Sequence, residues 1–120
     1  MKEADLKERT KQFALRVIKV VESLPKTTAG YEFGKQLFRS GTSVNSNYRA
    51  ACRAKLKKDF IYKLEVVLEE ADETYNWLDL IADSGTLPKK KLIDLMDEAN
   101  QLVSIFTTSV KTVKLQSSGN

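Results

Sequence analysis

Lys35-Gln36-Leu37-Phe38-Arg39-Ser40-Gly41-Thr42-Ser43-Val44-Asn45-Ser46-Asn47-Tyr48-Arg49-Ala50-Ala51-Cys52-Arg53 carries two faces when its residues are set at helical spacing. Leu37, Ser40/Gly41, Val44, Tyr48 and Ala51 recur at steps of three and four, so they form one stripe facing a core. Lys35, Arg39, Thr42, Ser46, Arg49 and Arg53 recur at the same steps on another side, a polar and mostly cationic stripe. Local propensity argues for a break near Ser43 to Asn47, because Gly, Ser, Thr and Asn are poorer helix formers than alanine. The apolar phase nevertheless runs unbroken from Leu37 to Ala51, and it decides for one continuous helix. Small residues let a neighbouring helix approach closely, so Gly41, Ser43 and Asn47 are read as inter-helix packing positions whose buried polar atoms need partners.

On either side, the same periodicity continues. Phe13, Ala14, Val17, Ile18, Val21 and Leu24 mark an earlier helix that Pro25 ends. Thr27 or Thr28 can cap the helix that follows. Ile61, Leu64, Val67/Leu68, Ala71, Thr74/Tyr75, Leu78 and Ile81 mark a third helix, with Asp59 as its capping residue and Ser84-Gly85 as its close. Leu92, Leu95/Met96, Ala99, Leu102/Val103, Phe106, Val110 and Val113 mark a fourth, begun by Thr86 and Pro88. Lys89-Lys90-Lys91 fits that start poorly, since cations near a helix amino terminus oppose its dipole. The predicted helices cover about residues 3–24, 29–54, 58–83 and 87–115, with a polar tail from Gln116 to Asn120. The expected fold is all-α: a single domain over residues 1–120, built as an antiparallel up-down-up-down four-helix bundle.

Composition agrees with that reading. The 120 residues are 42% apolar and 30% charged, with five Gly and two Pro, the profile of a helix-rich protein with one modest core. No apolar run reaches the length of a membrane span, the first residues lack a signal-peptide core, and Cys52 stands alone, so a cytoplasmic location and no membrane partner are expected. Net charge is only +4, but it is polarised. Between Lys35 and Lys63 eight basic residues face Asp59 alone, whereas seven acids and no base lie between Leu64 and Asp83. A directed surface field or pairing between the two segments follows.

Catalytic chemistry has no residues to rest on. The chain has no His, no Gly-rich phosphate loop and no Cys-rich metal cluster. A di-iron bundle site needs Glu-x-x-His on two helices, so neither metal nor cofactor is expected, and the protein is read as a non-enzyme. Glu69, Glu70 and Glu73 are read instead as partners for Arg39 or Arg49 across an antiparallel contact. The cationic stripe, running through Arg49 and Arg53 into Lys55, Lys57, Lys58 and Lys63, suits a nucleic-acid phosphate backbone, with Tyr48 and Tyr62 offering ring faces. Two readings stay open. One is a scaffold that binds RNA or DNA through these cations without reading sequence. The other is an interaction module whose arginines are consumed by third-helix carboxylates.

Gln36 to Val44, followed by Asn47-Tyr48-Arg49-Ala50-Ala51, resembles the second-helix motif of the four-helix-bundle proteins associated with 23S rRNA intervening sequences. Lys58 to Leu64, then Glu69 to Thr74 and Trp77-Leu78, is similar to that family's third helix. Asn45 and Ala51-Cys52 depart from the pattern, in which a small residue or proline, and sometimes a glycine, are usual. The resemblance implies a left-handed bundle that assembles into a ring-shaped homo-oligomer, a pentamer being favoured, in a bacterial cytoplasm. It implies no catalytic activity, and it suggests RNA, DNA or a nucleic-acid enzyme as partner. Arg39, Gly41, Ser43, Asn47, Glu70, Glu73 and Trp77 are then architectural or interface residues.

Overall fold

A computed structural model describes residues 2–118. Its helices are α1 (Glu3–Ser23), α2 (Thr28–Cys52), α3 (Lys57–Asp83) and α4 (Ile93–Ser118), with a short 3-10 turn at Lys89–Lys91. Each helix packs antiparallel on the one before it, an up-down bundle 53 Å long and about 20 Å across. α1 and α4, the first and last, touch sparingly.

α2 is unbroken through its weak centre. Leu37, Ser40, Gly41, Val44, Tyr48 and Ala51 are all buried, so tertiary packing overrides low propensity here. Thr27 caps the helix by accepting a hydrogen bond from the Gly30 amide at 3.0 Å. At Gly41 the contact with α1 is close enough that an added Cβ would lie 2.6 Å from Cγ1 of the fully buried Val17. Ser40 meets α3 instead: its hydroxyl lies 2.9 Å from that of buried Thr74. Ser43 and Asn47 bond to one another within α2. The Asn47 amide donates to its own helix at Ser43 O, 2.9 Å away, and both residues are half-buried. Asn45 makes the polar tie between helices, donating to Thr10 Oγ1 on α1 at 3.2 Å.

Two helix starts differ from the sequence reading. Leu56, not Asp59, occupies the cap position of α3; Asp59 falls in the first turn, where its charge still suits the positive helix end. α4 starts at Ile93 rather than near Leu87. Three consecutive lysines disfavour a helical dipole there, so Lys89–Lys91 form the 3-10 turn and the α-helix begins beside Asp94. The expected tail is helical as far as Ser118, while Gly119 and Asn120 lie outside the described residues. Gly85 closes α3 with φ of 74°, a left-handed value that glycine adopts without strain.

The core is one cluster, with Phe13, Val17, Leu37, Val44, Leu64, Leu78, Leu92, Leu102 and Phe106 among its fully enclosed members. No helix among the described residues is long and apolar enough to cross a membrane.

Candidate nucleic-acid interface

The cationic stripe of α2 divides into two stretches with different surroundings. Arg39, in the middle of the helix, faces α3. One of its guanidinium nitrogens lies 3.0 Å from Glu70 Oε2, and the other is in contact with Glu73. Trp77 Nε1 donates to the same Glu73 carboxylate at 3.2 Å, and its ring meets Phe33 of α2 edge-on. Five side chains from the two helices thus meet by charge and ring contact. Burial raises the Glu70 carboxyl above its ordinary range; Arg39 opposes that rise and Glu73 adds to it. Glu69 is exposed and takes no part in the Arg39 contact.

Arg49 and Arg53 lie at the other end of the stripe. Both are exposed, and no carboxylate among the described residues pairs with either. The reading that offered Glu69, Glu70 or Glu73 to Arg49 is not met, because those acids sit beside the middle of α2. The α2–α3 turn and the start of α3 add exposed Lys55, Lys57 and Lys58 at this end of the bundle, and Lys63 follows half-buried along α3. Tyr62 is exposed on the same stretch. Tyr48 is not available for base stacking: only 5% exposed, it packs against Phe106 with ring centroids 5.4 Å apart. Burial, with Cys52 as neighbour, pushes the Tyr48 hydroxyl well above its usual range. Burial likewise raises the Cys52 thiol, which keeps it protonated and a poor nucleophile.

Sequence reasoning missed two groups. Arg9 on α1 makes a two-pronged pair with Glu98 on α4, at 2.7 and 2.8 Å, and a further bond to Gln101 at 2.7 Å. The hydrogen bonds to Glu98 raise the Arg9 guanidinium further above its ordinary range, and burial works against them. Nothing local announces a partner 89 positions away. The second group is Lys7 and Lys11 of α1, which line one cleft with Asn45, Arg49 and Arg53 of α2. A spacing of four residues on α1 is the only signal that could have found them. No cluster of His, Cys, Asp or Glu among the described residues is placed to hold a metal ion.

The sequence pattern of the 23S rRNA-intervening sequence protein family matches residues 2–108, which include every residue of both stretches. The chain belongs to that family. Its fold is also similar to a crystal structure described as a protein of unknown function from the S23 ribosomal protein family of Bacteroides thetaiotaomicron VPI-5482. The two share 29% identity with a TM-score of 0.85 over 92% of this chain and 99% of the other. No curated protein matches the chain. The match establishes the intervening-sequence family, and the molecular role is argued from the site.

Proposed function

We propose that this intervening-sequence family member is a non-enzymatic scaffold whose basic end binds single-stranded RNA or DNA without reading sequence. The observation that carries the reading is that Arg49 and Arg53, exposed near Lys55, Lys57 and Lys58, pair with no carboxylate among the described residues. Exposed, unneutralised cations release condensed counterions when they meet phosphates, and the released ions drive binding. Three to four phosphates neutralised per protomer give a slope of log K against log salt of about −2 to −3 for a single strand. Arg49→Gln with Arg53→Gln makes that slope shallower by about 0.7 per lost contact. Fluorescence anisotropy with labelled oligouridylate and oligothymidylate measures both quantities. Unchanged affinity and slope in a stably folded double variant would overturn the reading.

The second reading, a protein-interaction module, is favoured by one observation: Arg39 is held by Glu70 and Glu73. We take it to describe the middle of α2 and not its end. Self-association belongs to both readings. Leu15 of α1 and Phe38 of α2 are each more than two-fifths exposed, surface suited to burial against further copies. A closed homo-oligomer is proposed, five subunits being favoured, and a nucleic-acid enzyme is a candidate partner for it. Sedimentation showing a monomer at tens of micromolar would remove the oligomer.

A further inference from the structure

Lys7 and Lys11 lie on α1, one helical turn or about 6 Å apart along the axis, and Arg49 on the last turn of α2 and Arg53, which caps it, are likewise four residues apart. The two pairs line opposite walls of one cleft of about 340 Å³, with the Asn45 side chain between them. Asn45 is fixed there by its bond to Thr10 Oγ1. The step of one turn is close to the separation of adjacent phosphates on an extended strand. No aromatic side chain lines the cleft. A strand lying in it would have its phosphates gripped from both sides and its bases left in solvent.

We infer that the α1–α2 cleft is a track for the phosphate backbone of one nucleic-acid strand, in which Lys7 and Lys11 complete a double row of cations with Arg49 and Arg53. The inference rests on the proposed nucleic-acid binding and extends it from Arg49 and Arg53 across to α1. Two rows facing one another across a cleft suit a single strand, whose phosphates form one line. A duplex would leave its second backbone outside the cleft. Two acids bear on the site. Glu3 pairs with Lys7 at 3.3 Å, with both side chains about half exposed, a contact weak enough for a phosphate to displace. Glu8 lines the cleft itself and accepts a bond from Gln12 at 3.3 Å, so its charge opposes an incoming phosphate.

Glu8 gives the inference a test of opposite sign. Lys7→Gln with Lys11→Gln is expected to make the salt slope for oligouridylate shallower by about 1.4, two single-strand contacts. Glu8→Gln is expected to tighten binding roughly two- to fivefold, the range of one exposed charge pair. Helical content and oligomer size are measured on both variants; all three residues are exposed, so neither should change. If the parent protein binds neither oligouridylate nor oligothymidylate, the nucleic-acid reading fails and the track with it. If the parent binds with a salt-dependent slope and neither α1 variant alters it, the track alone is overturned. Binding that weakens in Glu8→Gln also counts against it.

Discussion

Arg39 and Arg49 have the same side chain on the same helix, ten residues apart on one stripe, yet the bundle treats them oppositely. Arg39 faces the stretch of α3 where Glu70 and Glu73 stand, and Trp77 beside them meets Phe33. Arg49 is paired with none of those acids and lines a cleft whose other wall carries Lys7, Glu8 and Lys11. The middle of α2 is given over to architecture, with Gly41 pressed on Val17 and Ser40 on Thr74. On its carboxyl-terminal turn only the cationic side, at Arg49, is left to solvent. Periodicity alone assigns a stripe; what the neighbouring helix carries at the same height decides what the stripe does.

Several substitutions can break that contrast. The largest effect is expected of Gly41→Leu, which drives a side chain into Val17 and should cost about 1 to 3 kcal/mol by overpacking. Better helix propensity returns only about 1 kcal/mol. A thermal melt that rises above the parent's would show that the helices part easily there. Arg39→Gln comes next. It leaves Glu70 and Glu73 facing each other without a cation, at a cost of about 1 kcal/mol by denaturant unfolding, discounted because Arg39 is half exposed. No loss of stability would return Arg39 to the solvent-facing class of Arg49.

A smaller effect concerns pH. The folded state holds a proton on Glu70 more readily than the unfolded chain does, because its carboxyl is raised. The folded state thus binds more protons between the ordinary carboxylate range and the raised value, and stability from this group falls as pH rises through that interval. Glu70→Gln removes the fall, so its melting temperature should gain on the parent's as pH increases across the interval. Parallel curves would mean that Arg39 fully offsets the burial. The smallest effect is expected of Arg49→Gln with Arg53→Gln: stability within about 0.5 kcal/mol of the parent. Collapse of the fold or assembly in that variant would place these arginines with Arg39 and erase the contrast.

Much of the fold was legible because each helix carries its apolar stripe at one unbroken phase, from Phe13 on α1 to Val110 on α4. The continuity of α2 was legible for the same reason, despite its glycines, serines and asparagines. Start points were less so. Asp59 has the chemistry of a cap but falls one turn too late, and Lys89–Lys91 displace the α4 start by an electrostatic cost that the apolar pattern does not register. At the site, Arg39 with Glu70 and Glu73 followed from opposite charges at matching heights on antiparallel helices. The opposite wall of the Arg49 cleft did not. Lys7 and Lys11 belong to a helix whose rotation about its axis is set by Gly41 against Val17 and Asn45 against Thr10, contacts that charge counting cannot see.

The sparing contact between α1 and α4 has a consequence in time. Every other neighbouring pair of helices is consecutive in the chain and can zip together as the chain emerges, a topology of local contacts that favours fast folding. Arg9 with Glu98 and Gln101 joins the first leaf to the last, and it cannot form until α4 has been made. This clasp should therefore close last and open first. In hydrogen exchange, Arg9→Gln should loosen the amides of α1 ahead of those of α2 and α3, and uniform loosening of all four helices would instead make the bundle a single cooperative unit.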